Sequence, residues 1–99
     1  MTLSLGLTVE RNLKDRAAAI LAAVDGIVGQ KQYALAAARN YISKVRTRTV
    51  ASSADIDLNI RDIVSAIGLL PQLFTDTTRI RLMMDDLLRG WQGRYYFGY

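Results

Sequence analysis

Apolar residues recur at alternating steps of four and three in four stretches of the chain, and this spacing keeps them on one side of a helix. Thr8 is a predicted N-cap for the first stretch, which places that helix start near residue 8. The second stretch covers about residues 30–48. The four predicted stripes are Val9, Leu13, Ala17, Ile20, Val24 and Ile27; Leu35, Ala38, Ile42 and Val45; Ile56, Ile60, Ile63, Ile67 and Leu70; and Leu73, Thr77, Ile80, Met84, Leu87 and Trp91.

Polar residues and helix breakers mark the predicted boundaries. The segment 52–55, serine followed three residues later by an acid, is a capping signal for the third helix. Gly68 and Pro71 end that helix, and the fourth covers about residues 71–89. Gly26 and the glycine at 29 fall between the first two stretches. A helical hairpin and one long helix are both compatible with them.

The two ends of the chain depart from the helical spacing. Polar and apolar residues alternate through residues 2–9, which predicts a strand-like arm. Residues 91–99 hold five of the eight aromatic residues, a composition that also favours extended structure. The sequence therefore predicts an all-α bundle of about four helices over 8–90, with an extended arm over 1–7 and an aromatic tail that pairs with it in a short β-structure.

Composition narrows the chemistry that the chain can perform. The 99 residues suffice for one domain, and 51% of them are hydrophobic, enough for a real core. Cysteine and histidine are both absent, which removes the thiolate nucleophile, the usual general base and the commonest metal ligands. We therefore predict a protein that is not an enzyme and has no cofactor or metal. Charge stabilisation of a small anion by Arg39, Arg79 or Arg81 stays open, because it needs no histidine.

No stretch of the sequence predicts a membrane span or a secretory signal. The longest apolar run, Ala17 to Val24, is far shorter than the roughly 20 residues that cross a bilayer. No basic flank precedes the apolar residues of the N-terminus. We expect a cytoplasmic or virion-associated protein.

Positive charge is concentrated in the first half of the chain. Residues 1–50 carry eight Lys/Arg against three acids, whereas residues 51–99 carry five against six. Between Asp25 and Asp55 there are five cations and no acid, which indicates a contact for nucleic-acid phosphates or for an acidic partner. A solvated helix face explains the same residues equally well. The cations are Lys31, Arg39, Lys44, Arg46 and Arg48.

The ends supply the leading functional hypothesis. Leucine, tyrosine, tryptophan and arginine side chains are the kind that protein interfaces bury. We expect the two ends to contact neighbouring subunits or a larger structure, as in a homo-oligomeric virion, connector or filament component. The predicted interface residues are Leu3, Leu5, Leu7, Trp91, Arg94, Tyr95, Tyr96, Phe97 and Tyr99.

The alternative hypothesis is a small DNA-binding protein. The apolar spacing over Ile60 to Arg79, with glycine at the turn, resembles a helix-turn-helix. In that arrangement Gln72 and Arg79 face the groove of the duplex, and the basic stretch contacts its phosphates.

Overall fold

The computed structural model describes residues 4–27, 33–70 and 75–96, and four helices account for most of them. Helix α1 is Ser4–Asp25, α2 is Tyr33–Thr47, α3 is Ser53–Leu69 and α4 is Thr75–Tyr96. No strand occurs within these ranges. The all-α class with four helices is therefore confirmed.

The helices form a closed ring. Each helix packs against the next, and α4 packs against α1, whereas no Cα atom of α1 lies within 8 Å of α3, nor of α2 within 8 Å of α4. The molecule measures 45 × 19 × 19 Å along its principal axes. A helix of 22 residues is about 33 Å long, so α1 and α4 fit only along the long axis. The short connections make consecutive helices antiparallel neighbours, as in an up-and-down bundle.

The predicted stripes supply most of the core. On α2 all four predicted positions are buried, and on α4 every predicted position from 77 to 91 is buried. On α3 the buried seam is rotated slightly from the prediction, because Asn59 and Ala66 are buried while Ile60 and Ile67 are only half-buried. The buried apolar residues are Leu13, Ala17, Ile20, Leu21, Val24, Leu35, Ala38, Ile42, Val45, Val50, Ile56, Ile63, Ala66, Leu70, Ile80, Met84, Leu87 and Trp91.

The structure separates the first two apolar stretches into two helices. Helix α1 ends at Asp25, and the amide of Gly26 donates to the carbonyl of Ala22 at 3.0 Å in its last turn. Arg39 of α2 donates two hydrogen bonds back to the Asp25 carboxylate, at 2.7 and 3.1 Å. The chain therefore forms a helical hairpin here.

The predicted capping signal of α3 is present. The Asp55 carboxylate accepts hydrogen bonds from the amides of Ala51 and Ser52, at 2.9 and 3.1 Å. The amide of Ala51, above all, holds the pKa of Asp55 below its ordinary value. These bonds satisfy donors ahead of the helix and fix its start at Ser53.

The extended ends are a wrong prediction over the residues that the structure describes. Helix α1 already begins at Ser4, not near residue 8, and α4 continues to Tyr96. An alternating segment also places residues four apart, such as Leu5 and Val9, on one side of a helix. A pattern this short therefore does not distinguish a strand from a helix. Residues 1–3 and 97–99 of the predicted arm and tail lie outside the described ranges.

Helices α1 and α4 approach most closely at Gly90. A Cβ atom placed there would collide with the Leu13 side chain and lie 3.3 Å from Nη1 of Arg16. Leu13 is buried and has little room to retreat. Nothing lies within 4 Å of a Cβ placed at Gly68 or Gly93, which are also helical. Only Gly90 is required by packing among these three.

We expect Gly90→Ala to destabilise the protein by about 1–3 kcal/mol through overpacking, less the ~1 kcal/mol that alanine gains in a helix. Gly68→Ala is the matched control. It should raise stability by up to ~1 kcal/mol, because only the helix-propensity gain applies. Urea unfolding of both variants measures the difference. Equal effects of the two substitutions would contradict the close approach.

Candidate functional site

The first turns of α1 and the last turns of α4 meet at one end of the bundle. Leu13 lies opposite Gly90, and Arg16, three residues further along α1, bonds Asp86, four residues earlier in α4, at 3.3 Å. The two helices are therefore antiparallel. Leu7 lies six residues before Leu13, and Tyr96 lies six residues after Gly90. In antiparallel helices the backbones of Leu7 and Tyr96 are therefore level with each other. We call this part of the bundle, residues 4–8 of α1 and 92–96 of α4, the terminal end.

One predicted interface residue does not belong to the terminal end. Trp91 is 0% exposed and packs in the core with the other stripe residues of α4. An indole buried within its own chain cannot contact a partner, so the prediction for Trp91 is wrong. Its place in the fourth apolar stripe, which the same sequence also indicated, is the correct one.

Only some of the other predicted interface residues lie within the described ranges. The backbones of Leu5 and Leu7 lie in α1, and those of Arg94, Tyr95 and Tyr96 lie in α4, all at the terminal end. Leu3, Phe97 and Tyr99 lie outside the described residues. The structure thus brings leucine and tyrosine positions from opposite ends of the sequence together on adjacent helices.

Helix α2 is shorter than α1. It has 15 residues against the 22 of α1, a difference of about 10 Å. Arg48, the first residue after α2, bonds Asn59 and Asp62, which lie two to three turns inside α3. From there residues 48–52 continue to the start of α3, with Val50 buried. Residues 48–52, and not a further turn of α2, therefore lead to the start of α3.

A buried polar cluster lies where α2 ends. Nη1 of Arg48 donates to Oδ1 of Asn59 and to Oδ2 of Asp62, both at 2.8 Å. Asn59 is 0% exposed and Asp62 is 6% exposed. Among the described residues, Nδ2 of Asn59 has no hydrogen-bond partner. The cluster ties the end of α2 to the middle of α3.

Sequence reasoning missed this cluster and placed Arg48 among the nucleic-acid contacts. A signal was present, because Asn59 lies three residues after Ile56 and four before Ile63, inside the apolar stripe. A polar residue at such a position is buried by its neighbours and needs a partner. Nothing in the sequence, however, identifies Arg48 as that partner.

Some of the other cations in the basic stretch also contact residues of the same chain. The guanidinium of Arg39 is held by Asp25, which lowers the pKa of Asp25 and raises that of Arg39 through their hydrogen bonds. Lys44 Nζ lies 5.4 Å from the centre of the Tyr41 ring. Arg46 is exposed, and Lys31 lies outside the described residues. Lys44 and Arg46 are thus the described cations of the stretch that point to solvent without an acidic partner.

The helix-turn-helix region has a different geometry from that motif. Helices α3 and α4 both run along the long axis, because α3 alone is about 26 Å long in a molecule 19 Å wide. A helix-turn-helix crosses at roughly 90–120°. Arg79 is exposed on α4, and Gln72 lies outside the described residues. Arg81, an anion-binding candidate, donates to the carbonyl of Leu70 at 3.1 Å and closes the end of α3.

We expect Arg48→Met to cost about 3 kcal/mol of stability, because it leaves Asp62 buried without its cation. The control Arg46→Met, at an exposed neighbouring position, should change stability by no more than about 0.5 kcal/mol. The triple replacement Arg48→Met, Asn59→Leu and Asp62→Leu should recover most of the loss, since no charge is then left unpaired. Denaturant unfolding gives all three values. A loss of stability as large for Arg46→Met as for Arg48→Met would contradict the cluster.

Within residues 4–27, 33–70 and 75–96, no group of three acidic, cysteine or histidine residues is arranged to hold a metal ion. None of the helices there is long and apolar enough to cross a bilayer. No protein-family model, curated protein or solved structure was found to match the chain. Function must therefore be inferred from the residues and contacts of the chain itself.

Proposed function

We propose that the protein is a non-enzymatic assembly component whose terminal end contacts neighbouring subunits or a larger structure, as in a virion, connector or filament. The observation that carries the proposal is the antiparallel packing of α1 on α4, which brings the first turns of α1 and the last turns of α4 to one place. Either segment alone is short. Together the first turns of α1 and the last turns of α4 bring leucine and tyrosine positions to adjacent helices.

The residue composition of the terminal end supports a protein partner. Tyrosine and arginine are enriched where interfaces bury area, because a rigid ring or a planar guanidinium loses little conformational entropy on binding. Homo-oligomerisation or docking on a larger protein assembly would bury residues of this kind.

Two variants of the full chain test the proposal. The first replaces Leu3, Leu5 and Leu7 with serine, and the second replaces Tyr96, Phe97 and Tyr99 with serine. We expect the wild type to sediment as an oligomer and each variant to have at most half of that mass, because the apolar contact area is lost. Sedimentation velocity over a concentration series is the measurement, and circular dichroism verifies that the variants fold.

The matched control is Val64→Ser, at an exposed apolar position of α3 outside the terminal end. It should leave the sedimenting mass unchanged. The proposal fails if both terminal variants fold and keep the mass of the wild type.

DNA binding stays the alternative, supported by the exposed positions of Lys44 and Arg46 near the end of α2. If duplex DNA is the partner, alanine at both positions should weaken binding to all sequences and reduce the salt slope by about one per lost phosphate contact. Arg39→Ala is the control, since its guanidinium is held by Asp25. Fluorescence anisotropy with labelled duplex measures each effect, and no binding at low salt removes the alternative.

A further inference from the structure

A groove runs along the outer side of the bundle between α1 and α4, away from the terminal end. It begins as a depression of about 350 Å³ and continues past Arg79 into a second depression of about 270 Å³. Small residues of α1, Ala19 and Ala23, line one wall. Leu82 and Met83 of α4 line the other wall of the first depression.

Leu82 is the most conspicuous residue of this surface. It is 64% exposed, and in the described part of the chain the other exposed large hydrophobic residue is Val64, at 51%. The same surface thus holds a projecting apolar side chain beside a shallow apolar groove. Such a surface is complementary to its own copy, since each copy can place its leucine against the other's groove.

The charges on α4 are arranged symmetrically about Leu82 and Met83. Arg79 precedes Leu82 by three residues, and Asp86 follows Met83 by three residues. These spacings keep all four residues on one face of the helix. A twofold axis passing between Leu82 and Met83 would place Arg79 of each copy opposite Asp86 of the other. The same symmetric placement of opposite charges continues one turn further out in the sequence, with an acid at position 76 and an arginine at position 89.

We propose that this face, Arg79, Leu82, Met83 and Asp86 together with the groove beside Ala19, is the interface of a homodimer in which the two α4 helices pack antiparallel. Leu82 of one copy lies against Met83 and the groove of the other. An Arg79–Asp86 ion pair flanks the contact on each side. Antiparallel helix pairing with flanking charges fixes both the register and the direction of the partner.

A second copy fits these charges better than another partner does. The groove carries cations at Arg16 and Arg79 and an acid at Asp86, so neither a uniformly acidic nor a uniformly basic helix would match it. Asp86 already bonds Arg16 at 3.3 Å, yet both side chains are exposed, so Asp86 remains accessible to an arginine of the second copy. The dimer face does not depend on the terminal end, and the two contacts can coexist in one assembly.

The first experiment measures mass in the full chain. In the background of the Tyr96, Phe97 and Tyr99 serine variant, we expect a species of about twice the chain mass of 11.0 kDa. Adding Leu82→Glu should convert it to monomer, because a carboxylate cannot enter an apolar contact. Adding Val64→Glu, at the other exposed apolar position, should leave the dimer intact. An unchanged mass with Leu82→Glu would overturn the inference whether or not the terminal end assembles.

The second experiment uses charge complementation. Arg79→Glu makes both flanking positions acidic, and Asp86→Lys makes both basic, so each variant alone should be monomeric through repulsion. Mixed in equal amounts, they should form a heterodimer, since each acid then faces a cation. Native mass spectrometry distinguishes this heterodimer from either homodimer. If the mixture contains only monomers, or if the two variants dimerise separately as well as the wild type does, the antiparallel arrangement is excluded.

Discussion

The contact between α1 and α4 at Gly90 is the constraint on which the rest of the molecule depends. The missing side chain at Gly90 lets Leu13 lie against the backbone of α4, and this approach closes the ring of four helices. Because the two helices are antiparallel and of equal length, the closed ring necessarily brings the first and last turns together. The same pairing leaves a groove along its outer side, beside Leu82. Both proposed contact surfaces therefore result from the packing of α4 against α1.

The buried polar cluster shows how the shorter helix α2 is accommodated. A helix that ends early leaves backbone carbonyls and core positions to be covered, and here Arg48 turns inward to Asn59 and Asp62 while Val50 fills the core. Burial of an ion pair costs desolvation that its attraction only partly offsets, so the cluster contributes little net stability. We expect it to specify how α2 and α3 align, because any other register would leave Asp62 without its cation.

The sequence predicted those features that depend on local spacing. Four stripes gave four helices and most of the core, and the capping signal at Ser52 marked the start of α3. The prediction of extended ends was wrong because one set of residues fits both patterns. Leu5, Leu7 and Val9 alternate with polar residues as in a strand, and Leu5 and Val9, four residues apart, also share one side of a helix, so a segment this short does not distinguish strand from helix. Trp91 was assigned to the interface although its place in the fourth apolar stripe already predicted a core position. Arg48 was misplaced because its partners, Asn59 and Asp62, lie on another helix, and spacing along the chain does not identify that pairing.

The central claim, that α4 lies antiparallel on α1, is tested most directly by a distance between the two helices. The chain has no cysteine, so spin labels can be attached at Ala22→Cys and Thr78→Cys alone. Both positions are exposed, and with Leu13 opposite Gly90 they lie within a turn of the same level in the antiparallel pair. Neighbouring helix axes are 8–10 Å apart, so electron paramagnetic resonance should give a label separation below roughly 20 Å. A parallel pair would separate the two positions by about 22 Å along the axis alone, so a label separation above roughly 25 Å would contradict the antiparallel packing.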